Sequence, residues 1–317
     1  MIKILDTTLR EGEQSRGVSF SLEQKIEIAR LLDEFGVDYI EAGHPAVSTE
    51  MRNTVTTISS LGLRAEIVAH ARAKIEDIKA AIECKVPWVG IFIGINEVSL
   101  KYKYNLQKSQ VYELIRISIN YAKDNGLKVR LTIEDATRTE TAEIIELCQF
   151  VDGLGVDRIS IADTVGVAVP SMFYNLIRQI KAQTKVDLHV HCHNDFGMAV
   201  ANAIAAFEGG AVVIDTAVNG LGERAGIATL AEVCTALYSL FGIRKGWRLD
   251  LLPFISKQVA LFANIPLNPK MPIVGDDAFY HKGKLHVNAV SKYSGCYEPI
   301  SPEIVGRQEL QKEQHDK

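Results

Sequence analysis

Eight short runs of apolar and β-branched residues alternate along this chain with eight longer stretches whose apolar residues recur at helical spacing. The predicted strands are 2–7, 38–42, 65–69, 88–93, 128–133, 158–162, 187–191 and 212–218. The predicted helices are 22–35, 48–61, 74–83, 107–125, 139–152, 170–183, 197–208 and 226–241. Eight such units predict a (β/α)8 TIM barrel of the α/β class. An open doubly wound sheet is the alternative, but eight regular units favour closure.

The alternation stops near residue 247, and prolines then cluster at 253, 266, 269 and 272. We therefore expect a catalytic barrel over 1–246 and an appended, less regular C-terminal segment over 247–317. No GxGxxG motif follows the first predicted strand, which argues against a dinucleotide-binding domain. Ser21, followed three residues later by Gln24, predicts a capping box at the start of the first helix.

Charge and cysteine content narrow the possible function classes. The 317 residues include 35 basic and 39 acidic side chains, a net charge of −4, which argues against a nucleic-acid partner. Five scattered cysteines without a CxxC pair fit a reducing cytoplasm. No signal-peptide pattern and no run of roughly 20 apolar residues occurs, so no membrane partner is expected. These features favour a cytoplasmic enzyme acting on small molecules.

Polar residues that look out of place follow nearly every predicted strand. Catalytic groups of a TIM barrel lie at the C-terminal ends of the strands and in the loops that follow, so these side chains should meet on one rim. In chain order they include Arg10, Glu11, Gln14, His44, His70, Arg130, Thr132, Glu134, Thr164, His191, His193, Asn219, Glu223 and Arg224.

The segment HVHCHND places His191 and His193 two residues apart at a strand end, where both side chains share one face. Such a pair can grip a metal ion, and a carboxylate from another strand would complete the site. A hydrogen-bonded pair of core histidines is the alternative. His189 lies deeper along the strand, and we expect a structural role for it.

Two further segments supply complementary chemistry. In DTTLREGEQ (6–14), Glu11 can give the oxygen ligand and Arg10 can stabilise an oxyanion, although a surface salt-bridged turn is the alternative. The glycines of NGLGERAG (219–226), Gly220 and Gly222 among them, permit the close backbone approach of an anion-binding loop. Glycine-rich turns are common after strands, so this pattern is weak by itself.

Five segments together resemble one family over residues 3–307: DTTLREGEQ, IEAGHPA, ADTVGVAVP, HCHNDFGMAVAN and GLGERAG. They are similar to the homocitrate synthase and isopropylmalate synthase group of barrel acyltransferases, which is related to pyruvate carboxylases and hydroxymethylglutaryl-CoA lyase. The resemblance implies condensation of acetyl-CoA, the co-substrate, with a 2-oxo acid, followed by thioester hydrolysis. It also implies a divalent metal, which the sequence leaves open among Mg, Mn, Zn and Co.

The resemblance also implies roles for individual residues. Glu11, His191 and His193 would hold the metal, Arg10 would stabilise the developing alkoxide, and Thr164 would bind the 1-carboxylate of the acceptor. Glu134, His286 and Tyr297 would supply acid–base groups, the last two from the C-terminal segment of a partner subunit, which predicts a homodimer. His281 is expected to be structural. The remaining expectations are Gln14 on the substrate, and Asn219, Gly220, Gly222, Glu223 and Arg224 in the acetyl-CoA region.

The metal-binding residues are common to the family, so the identity of the 2-oxo acid acceptor must be predicted from other residues at the C-terminal ends of the strands. His70, Arg130 and Thr132 match the positions at which homocitrate synthases hold the distal carboxylate of 2-oxoglutarate, and Ile227 also fits that group. The segment IEAGHPA is nearer to the isopropylmalate synthase pattern. Its His44 either donates a proton to the acceptor or caps its loop. We therefore expect homocitrate synthase activity. The alternatives are isopropylmalate or citramalate synthase, a synthase for oxaloacetate or a phosphonopyruvate, an acyl-CoA lyase, or a non-enzymatic binding protein.

Overall fold

Eight parallel strands close into one barrel in chain order, with β1 hydrogen-bonded to both β2 and β8. The computed structural model describes residues 2–307. The strands are β1 Lys3–Asp6, β2 Tyr39–Gly43, β3 Glu66–Arg72, β4 Trp88–Gly94, β5 Lys128–Glu134, β6 Arg158–Asp163, β7 Asp187–Cys192 and β8 Val213–Thr216. The TIM barrel prediction is confirmed, and the open-sheet alternative is wrong, because no edge strand remains.

A helix follows each strand and packs on the outside of the barrel. The helices are α1 Leu22–Phe35, α2 Thr49–Ser59, α3 Ile75–Glu83, α4 Lys108–Asp124, α5 Thr141–Gly153, α6 Pro170–Lys181, α7 Ala199–Glu208, α8 Leu230–Leu240, α9 Leu252–Ala263 and α10 Lys284–Val290. The capping box at the start of α1 is present. Gly36 ends α1 with φ of 101°, a left-handed conformation that suits glycine.

The predicted boundaries hold within a few residues, except around the eighth unit. Strand β8 ends at Thr216 rather than at residue 218, because Val218–Gly220 form a 3-10 turn. Helix α8 begins at Leu230 rather than at residue 226, because the chain first returns past the barrel mouth through Gly226, whose φ is +80°. The eighth loop is therefore longer than the sequence pattern indicates.

Apolar side chains fill the layer between strands and helices, but the barrel interior is largely polar. At the end where the strands begin, the Arg158 guanidinium lies between the rings of Tyr39 and Trp88, 4.4 and 4.5 Å from their centroids. It also donates a 2.8 Å hydrogen bond to the Tyr39 hydroxyl. This cluster closes the bottom of the barrel, which leaves the opposite rim for ligands.

The C-terminal segment is less regular than the barrel, as predicted. Helix α9 packs against α1, while α10 has no buried residue. Residues 308–317 of the predicted segment lie outside the described residues. Between residues 2 and 307, no helix is long and apolar enough to cross a membrane.

Candidate active site

Glu11, His191 and His193 meet at the C-terminal rim of the barrel. One ligand atom from each lies within 4.8 Å of the other two, and all three residues are buried. The two Nε2 atoms of the histidines are 3.3 Å apart, and His193 Nε2 lies 4.0 Å from Glu11 Oε1. His191 lies on β7 and Glu11 follows β1, so the barrel brings them together across β8. The predicted ligand set is therefore assembled in space.

Asp215, on the intervening strand β8, orients the imidazole of His191. Its Oδ2 lies 2.9 Å from His191 Nδ1, and its Oδ1 lies 2.6 Å from Nε2 of the deeper His189. The contact with Asp215 at Nδ1 leaves Nε2 of His191 on the side of His193 and Glu11. A histidine that binds a metal usually has a carboxylate hydrogen-bonded to its other ring nitrogen, as Asp215 is here.

The charge states of His193 and Glu11 also suit a cation. Burial, followed by the neighbouring His191, lowers the pKa of His193 to about 3, so this imidazole is neutral at pH 7. Burial favours the neutral form of Glu11, but Arg10 and then the two histidines outweigh it and lower the pKa of that carboxyl. Two imidazoles and one carboxylate form a donor set that fits Mg, Mn, Zn or Co.

A fully buried carboxylate, Glu41 on β2, organises the cations beside this cluster, and the sequence analysis missed it. Glu41 accepts hydrogen bonds from Thr7 Oγ1 at 2.8 Å, from Arg10 Nε at 2.6 Å and from Arg130 Nη2 at 2.6 Å. Burial raises the pKa of Glu41, but Arg10 and Arg130 hold it well below its usual range. An acid inside the otherwise apolar run YIEAG was the sequence signal that could have revealed it.

Arg130, on β5, is only 2% exposed, yet its Nε and Nη1 atoms have no hydrogen-bond partner. The hydroxyl of Thr132 on the same strand is also buried and unpartnered. His70 lies on the other side of Glu41, with Nδ1 at 3.1 Å from Oε1, and its ring stacks on Phe92 at 4.6 Å. A buried donor without a partner is costly, so these groups favour a polar ligand at this position.

Three other predicted residues on the rim, His44, Thr164 and Glu134, already have partners. His44 contacts the edge of His70, but its Nε2 lies 2.7 Å from Asp77 Oδ2, as expected if it fixes its own loop. Thr164 Oγ1 accepts a 2.8 Å hydrogen bond from the Asp135 backbone N–H. Glu134 accepts two 2.6 Å bonds from Lys103, on a π-helical turn over Ser99–Tyr104. Gln14 is exposed in the turn that follows Glu11.

The glycine-rich loop after β8 forms a wall behind Glu11. The Glu223 backbone N–H donates a 2.9 Å bond to Glu11 Oε1, and a Cβ on Gly222 would lie 3.1 Å from that same oxygen. Arg224 bonds Asp195 and the Thr164 carbonyl. Asn219 and Gly220 line a separate cavity of about 420 Å³ that extends to residues 265–272. Asn219 and Gly220 therefore line this cavity, Gly222 and Glu223 lie against Glu11, and Arg224 joins the loop to Asp195 and Thr164.

His286 and Tyr297 lie together in the C-terminal segment, with ring centroids 4.2 Å apart. His281 Nε2 lies 3.6 Å from Glu298 Oε1. Over residues 2–307, no hydrogen bond, ion pair or ring contact joins His286 or Tyr297 to Glu134 or to the metal-ligand candidates. A single chain thus does not bring the predicted acid–base groups into one cluster.

Comparison with known families identifies this arrangement. The HMGL-like family model matches residues 1–259. The chain belongs to the HMGL-like family. A second model, described as a homocitrate synthase post-HMGL domain-like region, matches residues 273–316. The resemblance to homocitrate and isopropylmalate synthases is therefore confirmed.

Curated HMGL-like relatives cover nearly the whole chain. The homocitrate synthase of Pyrococcus horikoshii is 49% identical over 305 residues, which are 96% of this chain and 84% of that protein. The 2-isopropylmalate synthase of Methanocaldococcus jannaschii is 43% identical over 96% of this chain and 59% of its own length. The (R)-citramalate synthase CimA of the same organism is also 43% identical, over 96% of this chain and 62% of its own length.

Solved structures agree with the fold of this HMGL-like chain. The HMG-CoA lyase of Bacillus subtilis superimposes with a TM-score of 0.76 at 21% identity, covering 84% of this chain and 95% of the lyase. The carboxyl transferase domain of Rhizobium etli pyruvate carboxylase, with pyruvate and biocytin, gives a TM-score of 0.68 at 17% identity, over 83% of this chain and 47% of that one. Identities this low show a shared barrel and no more.

Proposed function

We propose that this chain is a homocitrate-synthase-type acyltransferase, which condenses acetyl-CoA with 2-oxoglutarate and then hydrolyses the thioester to release CoA. The observation that carries the choice of acceptor is Arg130, a buried cation with two N–H donors unpartnered. A second carboxylate on the acceptor would satisfy those donors and would itself need such a partner, because an unpaired buried carboxylate is costly. Thr132 offers a further unpartnered hydroxyl beside them.

Glu11, His191 and His193 would hold a divalent metal, which supplies Lewis-acid polarisation of the acceptor ketone when bound. Arg10 lies beside this cluster. Burial lowers its pKa, but Glu41 and Glu11 raise it above its ordinary value, so the guanidinium stays charged. We infer that Arg10 stabilises the negative charge that develops on the ketone oxygen as the new carbon–carbon bond forms. Thr164, at the same rim, would bind the 1-carboxylate.

The acetyl methyl group must lose a proton before its carbon attacks the ketone. Glu134 is the base candidate on the barrel, and Lys103 and Tyr104 hold its carboxylate in place. His286 and Tyr297, supplied by a second copy of the chain, would deliver a proton to the new alkoxide and assist the attack of water on the thioester. A homodimer follows from this proposal, because one chain keeps these groups apart.

Acetyl-CoA would approach past the loop after β8. Asn219 and Gly220 line the cavity of about 420 Å³ there, and Lys270 borders it with a largely exposed side chain. The cavity can take the pantetheine arm, while Lys270 can attract the phosphates of CoA. A cytoplasmic location is part of the proposal, since acetyl-CoA is available there and the five cysteines are free thiols.

Isopropylmalate synthase activity is the second candidate. It is favoured by the aromatic surface of Phe92 against His70, which could accept a branched aliphatic chain, and by relatives of that name at 43% identity. Citramalate formation from pyruvate and condensation with oxaloacetate or a phosphonopyruvate belong to the same chemistry. An acyl-CoA lyase would cleave the carbon–carbon bond instead of forming it.

An acceptor panel tests the proposal. The purified enzyme, with acetyl-CoA and each metal in turn, is given 2-oxoglutarate, 2-oxoisovalerate, pyruvate or oxaloacetate, and CoA release is measured with a thiol reagent. We expect the highest kcat/KM with 2-oxoglutarate. A higher value with 2-oxoisovalerate would favour the isopropylmalate assignment. Release of acetyl-CoA from an added hydroxyacyl-CoA, without condensation, would favour a lyase.

A further inference from the structure

Gly90 lies on β4, between the two strands that carry His70 and Arg130. It pairs in register with His70 on β3 and with Arg130 on β5. Glycine inside a strand forfeits side-chain packing and usually marks a bulge or a close approach of other atoms. Gly90 has an ordinary strand conformation, since it is absent from the residues with positive φ. The backbone conformation therefore does not require glycine here, and what matters instead is the atoms that a side chain would meet.

The guanidinium of Arg130 occupies that space. From β5 it passes over Gly90 to reach Glu41 on β2, where Nη2 donates a 2.6 Å bond. A Cβ built on Gly90 would lie 2.9 Å from Arg130 Cζ, 3.1 Å from Nε and closer still to Nη2. Even an alanine methyl group would overlap the guanidinium, which would have to leave its place against Glu41.

We propose that Gly90 is a specificity-determining residue, because its missing side chain lets the Arg130 guanidinium lie against β4 with Nε and Nη1 buried and unpartnered, as donors for a dicarboxylate acceptor. The ion pair with Glu41 fixes one edge of the guanidinium and leaves the other two donors for the ligand. A methyl group at position 90 would push the guanidinium into the volume that the distal carboxylate needs. This inference rests on the proposed function, since it assumes that Arg130 binds that carboxylate.

Gly90→Ala is informative because the atoms it displaces belong to the end of a flexible side chain, so the barrel itself can remain folded. We expect KM for 2-oxoglutarate to rise about 10-fold or more, as expected when a charge-assisted hydrogen bond is lost. KM for acetyl-CoA and the residual turnover of 2-oxoisovalerate should change little. Gly153→Ala, at the end of α5 with open space around it, is the matched control and should leave all three quantities unchanged.

A double-mutant cycle with Arg130→Ala separates the two hypotheses. If Arg130→Ala does not impair 2-oxoglutarate use, the proposed acceptor is wrong. If Arg130→Ala impairs it and Gly90→Ala does not, only the role of Gly90 is wrong. In the Arg130→Ala background, Gly90→Ala should cause no further loss, because the overlapping atoms are gone.

Thermal denaturation supplies a readout that does not depend on turnover. Gly90→Ala should lower Tm in the wild-type background and leave it unchanged in the Arg130→Ala background. An equal decrease in both backgrounds would show that the methyl group clashes with something other than Arg130, which would overturn the inference. Because Arg130→Ala removes the clash, the double variant remains measurable if Gly90→Ala alone fails to fold.

Discussion

Glu41 sets the charge arrangement of the site through a single side chain. Its carboxylate is completely buried and faces Arg10, Arg130 and His70. Arg10 also pairs with Glu11, whereas Arg130 keeps two nitrogen atoms without a partner, which suits an acceptor with a second carboxylate. Ionised Glu41 thus connects Arg10, which is proposed to act on the ketone oxygen, to Arg130, which is proposed to bind the distal carboxylate of the acceptor.

His70 gives a pH prediction for acceptor binding. Burial and then Arg10 lower its pKa to about 4, so it is neutral at pH 7 and donates Nδ1–H to Glu41. A carboxylate bound at Nε2 would raise that pKa, and binding would take up a proton. Affinity is then highest below the pKa of free His70, about 4, and decreases by up to about tenfold per pH unit as pH rises from there to the pKa of the complex.

The measurement is KM for 2-oxoglutarate between pH 5 and 8, which begins just above the pKa of free His70. We expect KM to increase with pH in the wild type and to lose this dependence in His70→Gln. The KM for 2-oxoisovalerate, which has no second carboxylate, is the internal control. A KM for 2-oxoglutarate that is flat across the range would mean that His70 stays neutral in the complex.

Metal binding should be measurable as stability. An ion that binds only the folded state stabilises it by about 2.7 kcal/mol at 100 times its Kd. We therefore expect Mn²⁺ or Zn²⁺ to raise Tm of the EDTA-treated enzyme, and Glu11→Ala to remove most of that increase. Glu113→Gln, at an exposed position of α4, is the control. An unchanged metal response in Glu11→Ala would place the ion elsewhere.

At the scale of elements, short local signals define the helix ends that hold the rim loops in place. Helix α1 follows the loop that carries Arg10 and Glu11, and it starts with the reciprocal bonds of Ser21 and Gln24. Ser21 Oγ accepts from the Gln24 N–H at 3.3 Å, and Gln24 Oε1 accepts from the Ser21 N–H at 2.8 Å. These bonds satisfy backbone donors that the helix itself cannot pair.

Ser21→Ala should therefore reduce the free energy of unfolding by about 1 kcal/mol, since it removes the N-cap acceptor. Chemical denaturation measures the change, and kcat/KM should remain at the wild-type value because Ser21 lies away from the site. Ser19→Ala, an exposed position before the cap, should have no effect. Equal destabilisation by both changes would argue against a specific contribution of the capping box.

At the scale of the whole molecule, the proposed acid–base groups are divided between the barrel, which carries Glu134, and the C-terminal segment, which carries His286 and Tyr297. Helix α10 has no buried residue, and Leu285 and Tyr293 in and beside it are more than two-thirds exposed. Apolar side chains at this exposure favour contact with another surface. We expect that surface to be the barrel rim of a second copy.

Subunit complementation tests this arrangement. Glu11→Ala and His286→Ala should each abolish most activity in homodimers. Mixed dimers would contain one site that combines an intact Glu11 with an intact His286 from the other chain. Unfolding and refolding the two variants together should therefore restore activity, up to about a quarter of wild type if mixing is random. No recovery in a mixture proven to contain mixed dimers would mean that His286 acts within its own chain.

The sequence by itself determined the barrel, because hydrophobic periodicity is a local property and eight repeated units leave few ways to bury their faces. It also marked Glu11, His191 and His193, since a parallel barrel brings all strand ends to one rim. Only the tertiary structure decided which charges meet across the barrel. Glu41 and Arg130 are 89 residues apart and separated by two strands, and Gly90 matters only because a side chain from β5 passes over it. Such contacts depend on closure of the barrel, which no local pattern records.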